Sequence, residues 1–313
     1  MRKALARRLA GMTAVMLIVV TIVFVIIRVA PGDPAAVMLG PDATAADIAD
    51  LRQLWGLDRP IPVQYAAFLA QLLRGDLGRS IFLDQPVLAA LADRAEPTAL
   101  LTLFATAIAC AIALPAGILA ALRRGSAFDR AVMTLCLAAA SIPTFWLGLV
   151  LIELFAVRLA AFPTSGYGAP GAGLGFRLTH LVLPAVTLGL SSAALITRFT
   201  RAGMLDVLAE DYVRTARAKG LGEPRVILRH ALANAAIPIL TVLGLTVAAL
   251  ISGAVVTETV FGLPGVGNLV VSAVLRRDYP VIQGALLVVA ALYVLINFAI
   301  DLLSATLDPR LRN

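Results

Sequence analysis

Histidine and cysteine are nearly missing from this chain: its 313 residues contain two of each. His180 and His230 stand far apart, so their spacing offers no metal site. Cys110 and Cys136 each sit alone in an apolar run, with no Cys-x-x-Cys pair and no Cys/His cluster. That excludes a redox pair read from sequence and leaves both as small packing residues. Charge is scarce as well, at 14% of residues against about a quarter in soluble domains. No G-x-x-x-x-G-K-[ST] phosphate loop occurs, which excludes ATP hydrolysis by that route. Neither a G-x-S-x-G elbow nor an H-E-x-x-H pair is present. Ser191, Ser192 and His180 lie close in sequence, but nothing there orients a base onto a nucleophile, so an intramembrane protease is not indicated. The net charge of +7 comes without the basic and aromatic patch of a nucleic-acid module. No internal repeat or low-complexity tract is visible.

What the chain has instead is apolar length. Hydrophobic residues make up 60% and mean hydropathy is +0.92, which points to the bilayer as solvent. Six runs approach the roughly 20 apolar residues that a membrane helix needs: 9–29, 98–122, 131–157, 181–197, 235–257 and 281–303. The fourth is the shortest. The first follows Arg2, Lys3, Arg7 and Arg8, is too long for a signal peptide's apolar region, and is expected to stay as an uncleaved helix. Basic residues then set the orientation. Four precede the first run, three lie in 123–130, seven in 198–234 and two, Arg310 and Arg312, in the tail. The 31–96 loop carries five basic residues against nine acidic ones. By the positive-inside bias both termini are expected in the cytoplasm, giving an all-α membrane protein of six transmembrane helices. In the large first loop, apolar residues recur at helical spacing over 47–57 and 63–73, so two short helices are expected on the outer face. Residues 75–80 read as a turn, and the Gly-, Pro- and Ser-rich 161–179 loop as extended and mobile.

The most informative polar stretch is the island at 198–234. Asp211-Tyr-Val-Arg-Thr-Ala-Arg-Ala-Lys-Gly220 reads as a short helix ended by glycine, with small residues between its bases. Gly222 and Pro224 then start a second helix. On physics alone this is either a docking element for a partner or a solvated loop. The segment resembles the cytoplasmic coupling loop of permease subunits in bacterial ABC importers, specifically the dipeptide, oligopeptide and nickel branch. Arg214-Thr215-Ala216 and Gly220 fill the places of that group's Glu-Ala-Ala and glycine, and the missing Glu is allowed in this branch. His230-Ala-Leu-Ala-Asn234 is similar to its next element. The likeness continues in order through Ala30-Pro-Gly-Asp-Pro-Ala35, Gly56-Leu-Asp-Arg-Pro60, Gly75-Asp-Leu-Gly-Arg-Ser80, Ser141-Ile-Pro-Thr-Phe-Trp146, His180-Leu-Val-Leu-Pro184, Glu258-Thr-Val-Phe-Gly-Leu-Pro-Gly-Val-Gly267, Arg277-Asp-Tyr-Pro280 and Leu307-Asp-Pro-Arg310.

The resemblance implies the type I ABC importer permease fold. It implies an N-terminal helix over 1–30, a periplasmic loop over 31–94, the permease domain over 95–305 with the coupling loop at 198–234, and a cytoplasmic tail over 306–313. It implies a multi-pass protein of the bacterial cytoplasmic membrane that imports short peptides, nickel chelates or glutathione by alternating access. The implied partners are a second homologous permease, two ATP-binding subunits and a periplasmic or lipid-anchored binding protein. This chain would bind no cofactor, ATP and magnesium belonging to the ATPases. Tyr212, Arg214, Thr215, Ala216, Arg217, Ala218, Lys219, Gly220, His230 and Asn234 would form the coupling site. Gly220 would turn the helix where a Cβ blocks the turn or the close approach, and Ala216 would pack on the ATPase.

For the translocation path, an ionisable residue at membrane depth is the first candidate. Glu153 qualifies, unless Arg158 neutralises it. Glu258 is a second candidate for the path, and it either bonds the backbone of the turn that follows it or contacts substrate. Asp301 is expected to pair with a base such as Arg310. Ser191, Ser192, Thr246, Ser252 and Asn297 either line the path or bond between helices. The alternative reading is a secondary transporter that needs no ATPase, which would be expected to show repeats or broken helices with ion ligands.

Overall fold

The computed structural model describes residues 2–29, 34–39, 43–54, 56–168, 171 and 173–307. Every regular element among them is helical. Four long apolar helices are α1 (Arg2–Val29), α5 (Val87–Leu122), α8 (Leu174–Leu208) and α13 (Tyr279–Leu307). A fifth rod begins at α10 (Glu223–Arg225), passes through a π-helical turn (Val226–Ala231) and continues as α11 (Leu232–Val260). Shorter helices are α2 (Pro34–Leu39), α3 (Ala45–Leu54), α4 (Ile61–Leu73), α9 (Asp211–Ala218) and α12 (Val266–Arg276).

The third expected span is not one rod. It divides into α6 (Ala127–Ser141) and α7 (Thr144–Leu151), the latter continuing as a π-helical stretch (Ile152–Arg158), and the two arms meet at 97°. The cause is Pro143. It has no N–H for the preceding turn, and the residue before a proline is pushed out of the helical region; Ile142 accordingly has ψ 123. The bent pair still crosses the bundle. It starts where Asp129 meets Arg201 near the far end of α8. It ends in the loop where Tyr167 meets Glu96 near the start of α5. Between Glu96 and Leu122 α5 is roughly 40 Å long at 1.5 Å per residue, so the pair joins opposite ends of the molecule and makes six crossings with the five rods.

The fourth span, shortest in sequence, is the 35-residue α8 and the most enclosed helix of the bundle. Leu181, Leu183, Ala185 and Leu188 of α8 pack with Leu101 and Ala105 of α5 and with Leu250, Ala254, Phe261 and Leu263. A helix shielded by its neighbours needs no continuous apolar run, which is why hydropathy undersold it. Its partner α5 presents Ala105, Ala109, Ala113, Gly117 and Ala121 at every fourth position, all buried. Lipid provides no hydrophobic drive between helices, so close van der Waals approach of small residues is what holds such pairs. At Gly117 a Cβ would lie 2.7 Å from Thr200 Cβ, and at Gly189 one would lie 3.0 Å from the Ala105 carbonyl.

The loop after α1 holds the two expected helices with shifted ends. α3 opens on Thr44, whose Oγ1 accepts from the Asp47 N–H while Asp47 accepts from the Thr44 N–H, a reciprocal cap. α4 lays Phe68, Leu69 and Leu72 against Val20, Val23 and Leu287. Gly75 and Gly78 make the expected turn with φ +76 and +86. The 161–179 loop differs from expectation. It is helical from Leu174, and its earlier part is fastened where the Gly166 N–H donates to the Phe261 carbonyl. Residues 30–33 and 308–313, with Arg310 and Arg312, lie outside the described residues.

Candidate functional site

The 198–234 island folds at its centre as helix, glycine turn, helix. α9 begins after Glu210 in extended conformation, and Asp211 in its first turn complements the helix dipole. One face of α9 is internal. Val213 and Ala216 are buried with Val226, beside Val207, Leu208 and Leu221. Ala216 therefore packs inside this chain, not on a partner as expected; it sits three residues after Val213, on the same helix face. The other face is open: Tyr212, Arg214, Thr215, Arg217, Ala218 and Lys219 are exposed. Arg217 is forked onto Glu223 at 2.7 and 3.3 Å. Arg214 lies 3.4 Å from Asp211. Burial, with Glu210 nearby, raises the Tyr212 phenol above its usual range, so it stays a hydroxyl.

Gly220 has φ +78, and a Cβ there would meet nothing within 4 Å. Its constraint within this chain is thus the left-handed turn, not a close approach. The turn lets the Leu221 N–H reach the Ala216 carbonyl and sends Leu221 back onto the buried foot, the usual hydrophobic contact after a helix stop. α9 meets the start of the fifth rod at Val226. His230 is half-buried there, and Asn234 donates to the His230 carbonyl at 2.7 Å, a bond within the rod itself.

The translocation candidates do not converge. Glu153 pairs with Arg158 at 3.0 Å, both exposed. Ser252 is exposed, Asn297 donates to the Tyr293 carbonyl, and Thr246 to the Val242 carbonyl. Ser192 is half-buried, and Ser191 Oγ is buried without a partner among the described residues. Asp301 pairs with a base as expected, Arg8 at 3.7 Å, which α1 brings to it by packing along α13; Arg310, the base named from the sequence, lies outside the described residues. A groove of about 610 Å³ is lined instead by α5, α11, α12 and α13, with Thr98, Thr102 and Thr106 as its polar residues. Their four-residue spacing in sequence was the available signal.

Glu258 is fully buried and holds the turn between α11 and α12. One carboxyl oxygen accepts from Thr98 Oγ1 at 2.6 Å, the other from the Asn268 N–H at 2.9 Å. Thr98 Oγ1 in turn accepts from the Val266 N–H. At Gly265 a Cβ would collide with the Glu258 carboxyl, so the glycines leave room for the carboxylate. Three further polar links escaped the sequence reading, because each joins residues far apart in the chain. Arg201 forks onto Asp129 at 2.6 and 2.8 Å and ties the α5–α6 turn to α8. Ser80 donates to Asp278 at 2.6 Å, both buried. At the end opposite α9, Arg177 Nη1 and Tyr167 Oη donate to Glu96 at 2.8 and 3.1 Å. Burial, then Glu96, raises the Tyr167 phenol, which keeps its proton as donor.

Two family models cover nearly all of the chain. The binding-protein-dependent transport system inner membrane component matches residues 113–313, and the N-terminal part of such membrane components matches residues 1–102. The chain belongs to this family. Among its relatives, the probable peptide ABC transporter permease protein y4tP of Sinorhizobium fredii is 45% identical over 98% of both chains. The glutathione transport system permease protein GsiC of Pectobacterium atrosepticum is 43% identical, over 98% of this chain and 97% of its own. The di/tripeptide transport system permease protein DppB of Pseudomonas aeruginosa is 43% identical, over 99% and 98%. The MetNI methionine ABC transporter, solved in inward-facing conformations, shares the fold with TM-score 0.59 and 19% identity, over 70% of this chain and 96% of that one. The permease is thus a multi-pass protein of the inner membrane with the type I ABC importer permease fold. Membership in a binding-protein-dependent family makes it a transport subunit that works with other ABC subunits and a substrate-binding protein.

Proposed function

We propose that this permease is one of two homologous membrane subunits of an ATP-driven importer for short peptides. Two ATP-binding subunits seat on the inner face and hydrolyse ATP with magnesium, and this chain has no ATPase site of its own. A binding protein delivers substrate from outside, and both termini lie in the cytoplasm. The observation that carries the reading is α9, a basic, exposed helix face on a buried Val213–Ala216 foot, attached to a largely apolar bundle. That geometry gives a partner something to grip and a rigid attachment through which to push. Relatives named for peptides, glutathione and di/tripeptides span the whole chain and support the substrate class. Alternating access then requires that the substrate bind the outward and inward states with different affinities.

The test is affinity purification of this chain from its own membrane in mild detergent, with mass spectrometry of what comes with it. The expected result is a second permease and two ATPase chains. A chain that emerges alone in good yield, with uptake that survives ATP depletion and collapses with an ionophore, would overturn the reading in favour of a secondary transporter.

A further inference from the structure

A polar cleft of about 340 Å³ opens at the end of the bundle opposite α9, within the range of small-molecule sites. It is lined by Asp93, Arg94 and Glu96 of α5, by Tyr167 in the loop before α8, by Arg177 of α8, and by Pro264 in the turn that Glu258 holds. Two of its four charges are spent on each other, since Arg177 and Glu96 are paired. The other two are not. Among the described residues neither the Asp93 carboxylate nor the Arg94 guanidinium makes a hydrogen bond or an ion pair.

Arg94 is the more telling of the two. It is half-buried and lines two cavities at once. Its other flank faces a smaller cavity of about 120 Å³ that contains Asp278. Asp278 is already occupied by Ser80 and by the N–H groups of Ile81 and Phe82. A guanidinium presents five donors in a planar fork suited to carboxylate. Half-buried and tied to no side chain, this fork stays free to take a carboxylate that enters the cleft.

We propose that Arg94 and Asp93 receive the charged ends of the transported peptide at the outer mouth. Arg94 takes the terminal carboxylate and Asp93 the terminal ammonium. The two residues are adjacent on α5 and line one cleft, so they offer opposite charges side by side to a zwitterion. The paired Glu96 and Arg177 add no net charge to the wall. This inference rests on the peptide reading above and adds to it a selectivity for free peptide ends made by the permease as well as by the binding protein.

The experiment uses the complete importer in proteoliposomes with its binding protein at saturating concentration. Uptake of one dipeptide is compared with uptake of its C-terminal amide, in wild type, Arg94→Gln and Arg94→Lys, with co-purification of the partner subunits confirming assembly. The ratio of acid to amide uptake is the readout, because the binding protein's own preference is the same for all three and cancels. Arg94→Gln is expected to lower that ratio about tenfold, the factor that corresponds to losing a charge-assisted bond, with Arg94→Lys in between. Asp93→Asn is expected to lower the ratio of free to N-acetylated peptide in the same way. An unchanged ratio in Arg94→Gln overturns the inference and leaves the peptide reading standing. So does an equal loss for acid and amide with a raised half-saturating concentration of binding protein, which would make the cleft a docking surface for that protein. A wild-type complex that imports neither peptide overturns the peptide reading, and this inference with it.

Discussion

At the scale of single residues, backbone conformation and space separate two roles that a glycine can have. Gly220 needs φ +78 but leaves open space where a Cβ would stand. Asparagine visits the left-handed region far more readily than bulky residues. Gly220→Asn is therefore expected to keep most uptake, and Gly220→Trp to abolish it while membrane insertion stays intact; transport assays on membranes with matched amounts of permease check both. Loss with both substitutions would mean that a partner approaches the glycine itself. Glu258 makes a different case. Both its oxygens accept, so Glu258→Gln turns one acceptor into a donor that faces another donor. A loss of about 1–3 kcal/mol is expected, read as a lower midpoint in thermal unfolding in detergent. Thr98→Ala should not add to it fully, because the two share one network. That Glu258 would bond the turn was legible from its place before a Gly/Pro run; that Thr98 would be its partner, 160 residues earlier, was not.

At the scale of elements, prolines show how far sequence carries. Pro97, Pro115, Pro184 and Pro238 lie inside continuous helices, whereas Pro143 stands at the bend between α6 and α7. Neighbouring helices can compensate a lost backbone bond, and which prolines have such neighbours is a property of packing, invisible to a run of letters. Hydropathy located all six crossings but ranked α8 last, because it measures exposure to lipid, and α8 is surrounded by protein. The Asp129–Arg201 fork gives an element-scale prediction. Asp129 is 5% exposed and Arg201 24%, so breaking the pair by Asp129→Asn is expected to lower the midpoint of thermal unfolding. The reversed pair, Asp129→Arg with Arg201→Asp, should recover part of it. Thermal unfolding of the wild type, Asp129→Arg, Arg201→Asp and the double variant decides, and full additivity would mean that the fork does not hold the α5–α6 turn to α8.

At the scale of the whole molecule, the bend at Pro143 decides the topology. Because α6 and α7 join opposite ends of the bundle, a label at Gly125 and one at Ser165 are expected on opposite sides of the membrane, with Ser165 outside. Cysteine substitutions probed with a membrane-impermeant thiol reagent, in a background with Cys110 and Cys136 replaced, provide the measurement. Both sites reacting from one side would make the pair a re-entrant hairpin and place the termini on opposite faces. The length of α8 has a consequence of its own. This helix is about 52 Å long at 1.5 Å per residue over its 35 residues. Arg177 stands in the outer cleft near its first turn, and its last turn, through Val207 and Leu208, clasps the foot of α9. In the orientation proposed above, this one lever has its handle in the cytoplasm and its tip among the charges that face the periplasm. If it swings as a unit, linkage requires the traffic to run both ways: a solute held at the tip must change the grip of the partner ATPases on nucleotide by the same factor as nucleotide changes the grip on the solute.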